Sequence, residues 1–416
     1  MDKQHAPTQG DSSAGKGGGL DRRIGLGLLL LYGLGNILGA GIYVLVGKVA
    51  GEAGYGTPLA FLLASVAAGF TVFSYAELSA RYPVSAGEAV YLFEGFRKRG
   101  LSILVGVLLA LSGIASAATI SRGFAGYLQA FWVLPESFLI VVFILSLGLI
   151  ALWGIAESLK FAALLTLAEI LGLLMIVWVG SDSLTGQVVI DLSQIELKEV
   201  LSPGIFLGAF LAFYAFIGFE DMVNIAEEVE SPQRNLPLAA VLALAVATLL
   251  YCAISWIAVS VVSPVELSAS DAPLALVYER ASGQSSTIIS VIGLLAIVNG
   301  ALIQIIMGSR IIYGMACRGW MPAVFSQVHP GTKTPMYASV LVIVMLLVFA
   351  LSMPLLNLAE LTSFLVLSVF FMVNAALIKV KALYPNPSGV RVFPVWLPWC
   401  GLVISAAFIA LKLILE

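Results

Sequence analysis

The chain is predicted to be an all-α, polytopic membrane protein, and three observations carry that reading. It has 416 residues, of which 60% are hydrophobic and only 11% charged. Soluble domains carry roughly 25% charged residues. Mean hydropathy is +1.03. The apolar residues also run on without alternation, as in Ile140–Trp153 and Val241–Val262. Membrane barrels need alternation along each strand, whereas helices satisfy their backbone groups internally in lipid. A soluble enzyme is excluded. A formal net charge of −3 leaves no basic footprint for nucleic acid.

Taken in order, residues 1–20 are polar, Gly- and Ser-rich, and read as a flexible cytoplasmic tail. No cleavage site follows the first apolar run, so it is not a signal peptide. A helix needs about 20 apolar residues to cross the hydrocarbon core. By that measure spans are expected near 24–47, 57–80, 101–127, 136–154, 160–180, 203–227, 236–262, 286–313, 336–353, 355–379 and 392–414. That makes about 11 transmembrane helices. The stretch 88–97 reads as a short surface helix. With the N-terminus in the cytoplasm, all of the 21 lysines and arginines fall on the inner side except Lys48, Arg122, Lys198, Arg280 and Lys412. An acidic loop at 181–201 then lies outside.

Two spans are interrupted. The first reads Tyr32-Gly33-Leu34-Gly35-Asn36-Ile37-Leu38-Gly39-Ala40-Gly41-Ile42, and each glycine weakens a helix by about 1 kcal/mol relative to alanine. The sixth reads Phe213-Tyr214-Ala215-Phe216-Ile217-Gly218-Phe219-Glu220-Asp221, with two carboxylates inside an apolar run. Close helix packing would explain glycines alone. Their positions argue for unwinding around Gly39–Gly41 and near Gly218. These are the first helices of two consecutive five-span sets, 21–180 and 201–380, and an odd-numbered repeat places its second copy upside down. Broken helices at matching positions of an inverted repeat mark the substrate site of secondary transporters. Freed N–H groups suit a carboxylate and freed carbonyls an ammonium group, and an amino acid has both.

Cysteines 252, 317 and 400 form no CxxC pair, and His5 and His329 form no cluster. No metal or other cofactor is expected, and no enzymatic chemistry.

These motifs resemble the amino acid–polyamine–organocation (APC) superfamily. Gly35–Ile42 is similar to its first-helix signature, and Phe213–Pro237 to its sixth. Glu77-Leu78, Pro83, Gly87 and Tyr91 fit the motif after the second helix. Gly308-Ser309-Arg310, Gly319, Pro322 and Thr334-Pro335 fit the eighth helix and its loop. The resemblance covers roughly residues 22–380. It implies a LeuT-type fold, two inverted five-helix repeats, here with one extra C-terminal helix in 381–416. It implies an amino acid permease of the cell membrane that works by alternating access, as a proton symporter or an exchanger. Polyamines or cationic substrates stay open. A channel or an intramembrane enzyme is the alternative of a different class.

By that resemblance the backbone of Gly39, Ala40 and Gly41 takes the substrate carboxylate. Carbonyls near Ala215, Phe216 and Ile217 take its ammonium, Tyr214 or Phe216 closes over it, and Ile303 lies near its side chain. Asn36 and Glu220 are further candidates, Asn36 either as site or as polar glue, as with Asn299 and Gln304. Asp221 is expected to cap and gate the second half-helix. Glu169 stands where many relatives carry a lysine. A carboxylate about 13 Å into its helix is costly and usually functional. It is read as the proton-coupling residue, with sodium binding by the ionised carboxylate as the other route, or, in the bland alternative, as a structural hydrogen-bond acceptor. Arg122 is expected to snorkel, and Glu227, Glu228, Glu230 and Arg234 to form a charge network.

Overall fold

Proline and glycine punctuate the chain where its helices begin and end. The computed structural model describes residues 24–84, 87–129, 132, 134–153, 159–184, 202–330, 332 and 334–415. The tail expected at 1–20 and most of the acidic loop lie outside them. Helices are α1 (Leu26–Leu38), α2 (Ala40–Ala53), α3 (Thr57–Arg81), α4 (Gly87–Phe96), α5 (Arg99–Gln129), α6 (Glu136–Trp153) and α7 (Leu159–Leu184). They continue as α8 (Pro203–Phe213), α9 (Pro232–Val261), α10 (Pro264–Ala269), α11 (Pro273–Ser282), α12 (Thr287–Cys317), α13 (Met336–Ser352), α14 (Leu355–Leu383) and α15 (Trp396–Leu415). Proline sits in the first turn of α3, α8, α9, α10 and α11. Its missing N–H costs nothing there, because that donor has no partner in the helix.

Among the described residues, 8 helical stretches are long and apolar enough to cross a membrane, and Glu136–Leu152 and Met336–Ser352 are shorter apolar helices. One of the 8, Leu26–Arg81, runs through α1, α2 and α3. Large apolar side chains on the outside, such as Leu149, Leu171 and Leu249, suit a surface that meets lipid rather than water.

The interior is built around the two interrupted regions. α1 packs on α9 and α7, α8 lies against α2 and α3, and α5 packs on α12 and α14. At one end of the bundle Glu77 is fully buried. It accepts from Arg81 Nη2 (2.7 Å), Lys381 Nζ (2.7 Å) and the Phe393 N–H (2.9 Å). Arg81 also donates to the Tyr384 carbonyl at 2.7 Å. This cluster fastens α3 to α14 and to the segment leading into α15. At the same end Ile24 pairs with Val229 as an isolated parallel bridge, and Glu230 N–H donates to the Ile24 carbonyl at 2.9 Å. At the other end the ion pairs are more exposed. Lys48 donates to the Ser268 carbonyl (2.7 Å), and Arg280 meets Glu266 (3.1 Å). Arg122, expected to snorkel alone, reaches Glu136 at 2.7 Å.

Candidate functional site

The first break is short. α1 ends at Leu38, Gly39 turns away from helical geometry with φ −36° and ψ −109°, and α2 resumes at Ala40. The unwinding expected across Gly39–Gly41 is therefore confined to Gly39. Gly41 is helical and serves a close approach to the second break, since a Cβ on it would sit 2.6 Å from Ala215 Cα.

The second break is longer. α8 ends at Phe213, Tyr214–Phe216 forms a 3-10 turn, and Ile217 is extended at φ −67° and ψ 135°. Gly218 has φ +132°, a conformation open to glycine and closed to most other residues. A further 3-10 stretch covers Glu220–Glu228. A Cβ on Gly218 would also lie 2.8 Å from the Asn36 carbonyl carbon. Each break thus rests on the other, Gly41 against Ala215 and Gly218 against Asn36.

Backbone groups freed by the breaks find side-chain partners. The Tyr251 hydroxyl, from α9, lies 2.6 Å from the Ile37 carbonyl and 3.0 Å from the Ala215 carbonyl. It has one proton to donate and shares it between the two oxygens. Glu220 Oε2 accepts from the Gly218 N–H at 2.9 Å, so this carboxylate caps its own break. Asp221 Oδ2 is the acceptor for Asn36 Nδ2 (3.5 Å) and Gln304 Nε2 (3.3 Å). It thereby joins α1, the second break and α12.

The predicted aromatic gate divides in two. The Tyr214 hydroxyl donates to the Ser116 carbonyl (3.1 Å) and pairs with Ser116 Oγ (3.0 Å); Ser116 lines a cavity, and Tyr214 is buried behind it. Phe216 is fully buried and packs edge-on against Phe61 and Tyr251. The cavity is lined by Ile217, Glu220, Asp221, Asn224, Ser112, Ser116, Gln304 and neighbouring apolar residues of α5 and α12. About 20 Å³ is open to the centre of a water molecule, which admits one water but not an amino acid. Ile303 is half-buried on α12 and does not line it.

Glu169 belongs to a second polar cluster. It is fully buried on α7. Asn299 Nδ2 donates to its Oε1 at 3.5 Å, while Oε2 has no hydrogen-bond partner. Its backbone carbonyl accepts from the Tyr43 hydroxyl (3.2 Å), and the Tyr43 carbonyl accepts from Tyr127 (2.9 Å). Across from it, the side chains of Thr166 and Asn299 close on Gly35 of α1. Among the described residues, no group of three or more His, Cys, Asp or Glu side chains could hold a metal ion.

Sequence reasoning missed Tyr251, Lys381 and the depth of Glu88. A lone tyrosine in the apolar run Leu249-Leu250-Tyr251-Cys252 was the available signal, because a buried phenol needs an acceptor. Lys381 gave none, since its partner Glu77 is remote in sequence. The side chains of Glu227 and Glu228 lie outside the described residues.

The family model described as amino acid permease matches residues 28–415. The branched-chain amino acid permease BcaP of Bacillus subtilis (strain 168) is 28% identical over 404 residues, covering 92% of this chain and 84% of the relative. The vacuolar cationic amino acid transporter 4 of Arabidopsis thaliana is 30% identical over 384 residues, 87% of this chain but 63% of the relative. The chain thus spans less than two thirds of that plant relative. The methylthioribose transporter of Bacillus subtilis (strain 168) is 28% identical over 402 residues, 91% of this chain and 86% of the relative.

Proposed function

The chain belongs to the amino acid permease family, and from that premise we propose that it carries amino acids across a membrane by alternating access. The observation that carries the reading is the meeting of the two breaks, Gly41 on Ala215 and Gly218 on Asn36. Substrate carboxylate would meet the N–H groups of Ala40 and Gly41, and that of Gly39 once it leaves the Gly35 carbonyl, to which it donates at 3.2 Å; substrate ammonium would meet the carbonyls from Ala215 to Ile217. The junction must part for that to happen, because Gly41 and Ala215 leave no room between them. Alternating access is then the opening and closing of this junction. Asn36, Asp221 and Gln304 tie its polar side together, Glu220 stiffens the second break, Tyr214 closes over the substrate, and Ile303 reaches it once the junction opens.

In this reading 21–180 and 201–380 are inverted five-helix repeats and 381–416 supplies an eleventh span. The basic end that carries Arg81 and Lys381 faces the cytoplasm, in the cell membrane. Substrate choice has two readings. Ile217 in the cavity wall favours neutral amino acids, in line with the name of the branched-chain relative. The carboxylates of Glu220 and Asp221 on the same wall favour cationic ones, in line with the name of the plant relative.

Glu169 is the coupling residue in this account. A buried carboxylate without a paired cation is costly unless a proton neutralises it, and Glu169 Oε2 has no partner. Its cluster closes on α1 one turn before the first break. A proton taken and released there biases how α1 packs. Uptake into proteoliposomes should rise as external pH falls, ignore sodium, and lose its pH dependence in Glu169→Gln. Sodium-driven accumulation, or an unchanged pH profile in the variant, would return Glu169 to a structural role. A thermal-shift screen against all amino acids and common amines identifies the substrate, since a ligand of the native state raises the melting temperature.

A further inference from the structure

A second carboxylate lies inside the basic end of the bundle, apart from both clusters above. α4 was expected at the surface, yet it packs on α14 and α5, and Glu88 in its first turn is only 2% exposed. Glu88 lines a gap between α5 and α12 together with Gly106, Leu109, Ile311, Gly314 and Arg318. Leu109 and Ile311 also line the central cavity. The two spaces therefore adjoin at these side chains, with Asp221 on the first and Glu88 on the second.

The groups around Glu88 leave its charge unmatched. Tyr75 of α3 faces it, as does the negative charge of Asp221, and Tyr91 on its own helix feels its charge. Arg318 lies over the Trp320 ring. Arg99 donates to the Gly319 carbonyl. On α14, Lys381 is held by Glu77 and Lys379 is exposed. No salt bridge to Glu88 forms among the described residues. Burial pushes its carboxyl up to about 8, and Asp221 adds to the effect against the Glu88 backbone N–H and Tyr75, which pull the other way. An ionised Glu88 in this place needs water, and the gap between α5 and α12 leads to it.

We infer that Glu88 is a proton-operated latch on the path between the central cavity and the basic end. Neutral, it stays packed and the path is shut; ionised, it draws in water and parts α4 from α5 and α12. The path serves the transport reading above, and on the orientation proposed there the latch answers to cytoplasmic pH. It is the family's motif after the second helix that carries this residue, one position after Gly87, yet the latch depends on Glu88 itself.

The test uses full-length protein in nanodiscs, with Ile311→Cys as reporter and native Cys317, which is exposed, as internal reference. Cys252 and Cys400 are changed to serine. Labelling of both thiols by a membrane-impermeant maleimide is quantified from about pH 6.5 to 9 with no substrate present, so a failure of the transport reading leaves this outcome legible. The ratio of reporter to reference should rise several-fold with pH in the chain with Glu88 and stay flat in Glu88→Gln. A flat ratio with Glu88 present, or an equal rise in both, overturns the latch. Thermal unfolding supplies a second readout that does not depend on labelling. A carboxyl raised in the native state holds its proton where the unfolded chain has released it, so stability falls with rising pH. The unfolding midpoint of the wild type should drop relative to Glu88→Gln between about pH 4.5 and 8, and parallel midpoints would contradict the inference.

Discussion

The two broken helices solve different problems with the same residue. In the first, a single glycine interrupts the run and helix returns at once, with Gly41 in its first turn packed against Ala215 too closely for a side chain. In the second, the chain leaves α-helical geometry after Phe213 and regains it only at Pro232, with 3-10 turns at Tyr214–Phe216 and Glu220–Glu228 between. That break needs Gly218 at positive φ, Glu220 to cap it and Tyr251 to occupy its freed carbonyl. The first break is a short joint held by packing and by the one hydroxyl, Tyr251, that it shares with the second, and the second is a longer element with a carboxylate cap of its own. Glycine density alone does not tell them apart. The polar residues that follow the glycine do.

If that contrast is right, alanine should be tolerated very unequally. Gly218→Ala is expected to have the largest effect. Positive φ alone costs about 1–3 kcal/mol, the contact with Asn36 adds to it, and substrate binding should be lost. Ligand-induced thermal shifts in purified protein would measure it, and a Gly218→Ala variant that binds normally would break the contrast. Tyr251→Phe comes next. It leaves the Ile37 and Ala215 carbonyls without their donor, at about 1–3 kcal/mol, seen as a lower unfolding midpoint; an unchanged midpoint would mean that water replaces the hydroxyl without loss. Gly39→Ala should be milder than Gly218→Ala, about 1 kcal/mol, because φ is negative and the Gly35 carbonyl oxygen, 3.1 Å from the added Cβ, must give by only a few tenths of an ångström. Uptake close to wild type is the expected result, and a loss as deep as that of Gly218→Ala would erase the distinction.

The membrane class and the placing of both breaks were legible in the sequence, because long apolar runs and clustered glycines are local signals. The extent of each break was not. Gly41 is helical and meets Ala215, remote from it in sequence, and no local pattern reports that contact. Asn36 and Asp221 read as separate candidates, and only the fold brings Asn36 and Gln304 together as donors to Asp221 Oδ2. Phe216, one of two candidates for an aromatic gate, packs into the core because a turn of 3-10 geometry rotates it away from Tyr214. Glu88 shows the same limit. A charged residue at a helix start reads as surface, since aspartate and glutamate favour first turns, and its burial depends on how α5 and α12 lie beside it.

The central claim is that substrate binds where Gly41 meets Ala215, and counterflow in proteoliposomes with the Gly41→Leu variant tests it most directly. Leucine at position 41 would fill the junction without altering the surface that holds the bundle in lipid. The account predicts that wild-type protein exchanges preloaded for external amino acid and that Gly41→Leu, reconstituted to the same level with a cooperative unfolding transition, does not. Exchange by Gly41→Leu at the wild-type rate would place the site elsewhere and contradict the account.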